Sequence, residues 1–267
     1  MFIEILLILL ASAVFGAVFG SFANVVAIRT HDESSLWGRS HCVECKTPLK
    51  IRHLVPVLSW LIQKGKCETC GKRIHIQYPL VELAGALLAI ITVARYMSVP
   101  LEIAWPWILF EFFFGLALLI FLVMDARWME LPIEMMVGAG VIFTVWNMLL
   151  RVVSGEPAAE VAWSHIVGFA VVACFFLLQW VVSRRRWIGS GDIWLGAVIG
   201  AVLGWPVVGI AIYFAYIFGG SAALVLLLIG KLKPGTRVPF APALAAGALA
   251  AIWWAPWLMV WLSYAFA

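Results

Sequence analysis

Arg184-Arg185-Arg186-Trp187-Ile188-Gly189-Ser190-Gly191-Asp192 stands between two apolar runs. Three arginines end the first run, two glycines turn the chain, and one aspartate opens the second. A carboxylate at the mouth of a membrane helix is costly to desolvate, so it needs a function or a partner. The glycines remove side chains where the backbone bends and allow another segment to come close. A comparable carboxylate is Asp125 in Leu122-Val123-Met124-Asp125-Ala126-Arg127-Trp128, again where an apolar run meets a basic residue.

The 267-residue chain is 64% hydrophobic and 12% charged, with mean hydropathy +1.04. No soluble domain buries that much apolar surface, so the fold is an all-α polytopic membrane protein. Apolar runs at 2–28, 80–99, 101–124, 132–150, 160–183, 192–204, 206–230 and 242–266 give about eight transmembrane helices. Run 192–204 is short for a full span and precedes Pro206, so it is read as a tilted or partial helix, or as a re-entrant feature together with the next run. The first run lacks a basic n-region and a clear cleavage site, which favours a retained helix over a signal peptide. The expected division is a first transmembrane helix over 1–28, a polar domain over 29–79 and a transmembrane core over 80–267.

Orientation follows from charge. With the amino terminus outside, segments 29–79, 125–131, 184–191 and 231–239 are cytoplasmic and hold sixteen of the eighteen Lys and Arg residues. The last of these segments contributes Lys231, Lys233 and Arg237; Arg95 and Arg151 remain outside. The positive-inside rule then places both termini outside and puts Asp125, Asp192 and the polar domain on one cytoplasmic side.

That domain carries Cys42-Val43-Glu44-Cys45 and Cys67-Glu68-Thr69-Cys70, separated by 21 residues. Two such knuckles surround one tetrahedral Zn²⁺, and a site closed by Cys42, Cys45, Cys67 and Cys70 is structural rather than catalytic. Gly71, and Thr47-Pro48, suit the turns the knuckles need. Two disulfides are the alternative, disfavoured in a reducing cytoplasm. His41, His53 and His75 read as ordinary loop residues, and Cys174 as a buried hydrophobe.

Other polar groups have two readings. Gly16 and Gly20, four apart, let a second helix pack closely. Asn24 makes an interhelical hydrogen bond or binds a ligand. Glu82, after Tyr78-Pro79, either interacts with its helix dipole or takes part in binding. Glu4 is solvated at its helix end, while Glu111, Glu134 and His165 have no assigned role. The tryptophans are interfacial anchors. Each aspartate caps its helix, pairs with a nearby arginine, or joins the other in acid–base chemistry. Two carboxylates in a partly dry site do not both ionise easily, and such a pair shares a proton. The ionised member activates water while the protonated one polarises a carbonyl.

These residues resemble a known family. Gly189-Ser190-Gly191-Asp192 is similar to the Gly-x-Gly-Asp element of membrane aspartyl proteases. Over nearly its whole length the chain resembles bacterial type IV prepilin peptidases, also called prepilin leader peptidase/N-methyltransferases. The resemblance is carried by Gly20-Ser21-Phe22-Ala23-Asn24-Val25, both cysteine pairs, Pro56-Val57-Leu58-Ser59-Trp60, Tyr78-Pro79-Leu80-Val81-Glu82, Asp125 and Asp192. Three positions depart from the family pattern: Ile133 follows Pro132 where Asp or Asn is usual, Val43 replaces a proline, and Gln77 replaces an arginine. The resemblance implies catalytic Asp125 and Asp192, with Gly189 and Gly191 beside them as substrate- or cofactor-binding residues. It implies cleavage of basic leaders from prepilins or pseudopilins at the cytoplasmic face of a bacterial inner membrane. Methylation of the new amino terminus from S-adenosylmethionine would follow, near Gly20, Asn24, Glu82 and the zinc domain. Prepilin or pseudopilin substrates and membrane lipid are the expected partners, with no nucleic acid. The rival readings are a transporter whose intramembrane carboxylates relay protons, with a structural zinc loop, and a scaffold of a secretion machine.

Overall fold

The computed structural model describes residues 2–233 and 238–265; Arg237, counted above as cytoplasmic, lies outside the described residues. Every apolar run forms a helix: α1 (Phe2–His31), α3 (Gln77–Arg95), α4 (Leu101–Trp128), α5 (Ile133–Val153), α6 (Ala158–Val182), α7 (Ser190–Leu203), α8 (Val207–Leu228) and α9 (Ala241–Ala265). A short helix α2 (Leu58–Ile62) lies in the polar segment. Six described helices, α1, α3, α4, α5, α6 and α8, are long and apolar enough to cross a membrane. The chain is therefore a multi-pass membrane protein. Helix α7, at 14 residues, is short, as expected for a partial span. Helix α1 extends three residues beyond the apolar run, to His31, and α3 starts earlier than its run, at Gln77.

The chain forms two compact units, Met1–Met124 and Asp125–Ala267. In the first, α1 and α3 pack antiparallel, Gly20 facing Val81 and Gly16 facing Gly85. A Cβ on Gly20 would stand 2.6 Å from the Val81 carbonyl oxygen, and one on Gly16 would overlap the Gly85 carbonyl. The glycines therefore let two backbones touch, the small-residue packing that membrane helices use. Phe15 and Phe19 of α1 meet Phe112 of α4 in a tilted and an edge-to-face contact, at centroid distances of 5.2 and 5.6 Å.

Glu111 of α4 receives the partner that the sequence did not reveal. Arg95 Nη1 lies 2.6 Å from both Glu111 oxygens, and the Tyr96 hydroxyl donates to Oε1 at 2.7 Å. An otherwise forbidding buried charge is thus neutralised and hydrogen-bonded.

In the second unit, α6 packs antiparallel to α7 through Gly168 and Gly200, and Gly196 makes room for Phe176. Gly140 of α5 faces Val198 of α7. Helices α8 and α9 also run antiparallel, with Gly247 against Ala211. At the end of α7 remote from Asp192, buried His165 donates from Nδ1 to the Ala201 carbonyl at 2.6 Å, and Ser164 Oγ donates to that of Trp205 at 2.7 Å. His165 is therefore a helix-packing residue there.

Candidate active site

Asp125 and Asp192 line one cavity of about 200 Å³, together with Met129, Leu131, Ile133, Gly189, Ser190 and Gly191. The local backbone explains how each arrives. Helix α4 ends at Trp128, and Met129 closes it with φ +55°, its N–H donating to the Asp125 carbonyl at 2.9 Å. The chain then turns through Leu131 to Pro132, the N-cap of α5. Pro suits a helix entry, where its missing N–H costs nothing. Asp125 is thereby held one turn before a sharp exit, its side chain 7% exposed.

Asp192 occupies the third position of α7. Its Oδ2 accepts the backbone N–H of Gly189, the N-cap, at 3.0 Å. The capping reading of this aspartate is thus realised. It does not remove the carboxylate from the cavity, since a cap uses one oxygen. Both glycines ease this arrangement, since a side chain at either would make its neighbour give way by a few tenths of an ångström. A Cβ on Gly189 would stand 3.3 Å from Asp192 Oδ2, and one on Gly191 would stand 3.2 Å from Leu131 Cβ. Gly189 yields space to the carboxylate, while Gly191 brings the start of α7 against the loop that follows Asp125.

Asp125 has a donor that no motif announced. The backbone N–H of Ala241, first residue of α9, donates to its Oδ2 at 2.9 Å, across 116 positions of sequence. Each aspartate thus rests one oxygen on a main-chain N–H at a helix start, where the helix dipole favours negative charge. Such fixation orients a carboxylate without a counter-ion. Ile133, where the resembled family has a polar residue, makes part of the wall apolar.

The cysteine segment lies in the first unit. Cys42, Cys45, Cys67 and Cys70 bring their sulfurs within 4.8 Å of one another, Cys42 and Cys70 at 3.9 Å. Sulfurs bound tetrahedrally at ~2.3 Å from zinc stand about 3.8 Å apart, so the cluster fits that ion; all four cysteines lack a disulfide. The two knuckles repeat one hydrogen-bond pattern. Cys42 N–H bonds the Thr47 carbonyl at 3.0 Å and Lys46 N–H the Cys42 carbonyl at 2.9 Å; Cys67 with Lys72, and Gly71 with Cys67, repeat this at 2.8 and 2.9 Å. Lys46 (φ +56°) and Gly71 (φ +68°) take the same left-handed corner. The sequence pointed to Gly71 and to Thr47-Pro48; Lys46, a residue type that rarely takes such a corner, gave no signal. The Thr47 hydroxyl beside Cys45 brings that thiol down to about 6, and the amides of Cys70 and Thr69 lower Cys67. Those two thiols are readied as the thiolates a metal requires, whereas burial and the neighbouring sulfurs push Cys70 up to about 11. His53 sits 2.8 Å from Glu68, which also bonds Arg52; that guanidinium holds the Glu68 carboxyl below its usual range.

Gly20, Asn24 and Glu82 gather where α1 meets α3, but their groups are engaged internally. Asn24 Nδ2 donates to the Tyr78 carbonyl at 3.3 Å, and Gln77 Nε2 donates to Asn24 Oδ1 at 3.1 Å. The interhelical reading of Asn24 is the one realised. Glu82, 8% exposed, accepts the Val57 N–H at 2.6 Å, with Ser21 beside it.

Residues 14–96 match the bacterial peptidase A24 N-terminal domain, and residues 112–228 the type IV leader peptidase family. A Bacillus subtilis protein named prepilin leader peptidase/N-methyltransferase is 33% identical, covering 89% of this chain and 91% of its own length. A Pseudomonas putida protein of the same name is 28% identical over 91% and 89%. An Escherichia coli protein named type 4 prepilin-like proteins leader peptide-processing enzyme is 28% identical over 89% and 91%. No solved structure matches the chain. The transporter reading finds no support in these relatives. Three likenesses over about nine-tenths of the chain and two successive domain matches lead to one conclusion: the chain belongs to the type IV leader peptidase family.

Proposed function

We propose that this protein cleaves the basic leader from a type IV prepilin or pseudopilin and then N-methylates the new amino terminus. The observation that carries the reading is the shared cavity of Asp125 and Asp192, each braced by a backbone N–H at a helix start. Asp125 and Asp192 are the catalytic pair. One, ionised, takes a proton from water as it attacks the scissile carbonyl; the other, protonated, donates to the carbonyl oxygen. Gly189 and Gly191 shape the site without touching the reacting atoms. The cavity wall supplied by Met129, Leu131 and Ile133 suits apolar residues beside the cleaved bond.

Residues 1–28 serve as the first transmembrane helix, 29–79 as a zinc-binding domain and 80–267 as the transmembrane peptidase core. Zn²⁺ held by Cys42, Cys45, Cys67 and Cys70 braces the domain and takes no part in bond breaking, since four thiolates leave no open position. S-adenosylmethionine is the methyl donor. The enzyme resides in a bacterial inner membrane, termini outside, with both aspartates at the cytoplasmic face where a basic leader would be.

The test is incubation of the purified protein with a candidate prepilin, with and without S-adenosylmethionine, followed by product mass. The expected result is a shortened product, one methyl heavier when the donor is present. An unprocessed substrate across a panel of prepilins and pseudopilins would overturn the reading.

A further inference from the structure

Pro56-Val57-Leu58 holds a backbone conformation that its residues do not favour. Val57 has φ +61° and ψ −52°, and the Leu58 N–H bonds the Pro56 carbonyl at 2.6 Å. Together these define a γ-turn with positive central φ, a strained form, here centred on a β-branched residue for which positive φ is a genuine outlier. Strain of this kind persists only where the surroundings over-determine it. What determines it is Glu82. Its carboxylate, buried in α3, accepts the Val57 N–H at 2.6 Å, with Ser21 of α1 beside it. The turn stands between the two knuckles, after Cys45 and before Cys67, and leads directly into α2. Both ends of that segment are tied at the cysteine cluster, while Glu82 ties its middle to the α1–α3 pair.

We propose that Glu82 is a positioning residue, a latch that holds Val57 in its strained turn and fixes the segment between the knuckles onto the transmembrane helices. Its acceptor oxygen is what matters, and it does not contact the methyl donor or the substrate. Glu82 thereby acts at one remove from the chemistry. Its link to methylation rests on the function proposed above; the latch itself does not.

Hydrogen exchange on the full-length protein in nanodiscs tests the latch without reference to activity. Glu82→Leu should raise exchange of the 55–62 amides at least about tenfold, the loss expected when a local opening is freed of its main restraint. Glu82→Gln keeps an acceptor oxygen and should stay within about threefold of the parent. Val57→Gly should leave the parent fold intact, since glycine accepts positive φ. Unchanged exchange in Glu82→Leu, or equal loss in Glu82→Gln, overturns the latch. Methylation of a cleaved prepilin supplies the second reading: Glu82→Gln should retain most of it and Glu82→Leu lose it. Equal loss in both would mean that the charge acts directly, against the proposal. If the parent methylates nothing, the function reading fails, and the exchange result still decides the latch.

Discussion

Asp192→Asn separates a helix cap from a catalyst. Asp192 accepts the Gly189 N–H at 3.0 Å, and an asparagine Oδ1 can accept the same bond. The substitution should therefore cost only the charge at the helix start, about 0.5 kcal/mol. Asp192→Ala also loses the cap and should cost about 1–1.5 kcal/mol. If Asp192 were a cap alone, activity would follow those small losses and Asn would be nearly silent. If it moves a proton in the transition state, both variants should lose about a thousandfold in cleavage, about 4 kcal/mol of barrier. The two accounts differ most at Asn, where the fold is kept and proton transfer is not. The assay is prepilin cleavage in membranes, normalised to enzyme by immunoblot, alongside thermal unfolding in detergent. An Asp192→Asn protein that retains more than about a tenth of parental cleavage refutes the reasoning, because acid–base work of this size does not survive an amide.

Asp125→Asn should lose cleavage to a similar degree, by the same assay. Gly16→Leu and Gly85→Leu should each destabilise the α1–α3 pair by at least about 1–3 kcal/mol, read as a lower melting temperature in detergent, because each side chain meets facing backbone. Glu111→Ala should cost about 3 kcal/mol, by leaving Arg95 and Tyr96 without their buried partner, and should lower melting while cleavage per folded molecule is kept. Cys42→Ser should reduce bound zinc well below one ion per chain by metal analysis, and some cleavage should remain since the aspartates use no metal. Reporter fusions after Arg127 and Arg186 should read cytoplasmic and those near Arg151 outside; a cytoplasmic signal near Arg151 would invert the assigned orientation.

Helices were legible wherever the apolar runs were long, because a membrane span needs about 20 apolar residues whatever its neighbours. The knuckles were legible because metal chemistry fixes cysteine spacing. Asp125 and Asp192 stood out because a carboxylate at the mouth of a membrane helix is costly to desolvate. What escaped were partners supplied by main chain or by distant residues. Glu111 looked solitary until Arg95 and Tyr96, 16 and 15 positions earlier, were found against it. Val57 and Lys46 gave no sign of positive φ, since side-chain type reports preference and not what the surroundings impose. Glu82 read as a helix-dipole or ligand carboxylate because its partner is an amide, and every residue but proline has one.

The Ala241 amide that steadies Asp125 carries one more lesson, for mutagenesis. An alanine scan would skip position 241, which is already alanine, and substitution there by almost any other side chain would keep the N–H. Only proline deletes the donor. A residue on which the first aspartate leans is thus invisible to the commonest survey. It also lies beyond residue 228, where the family match ends, so two members can agree at every motif and still differ in what steadies that carboxylate.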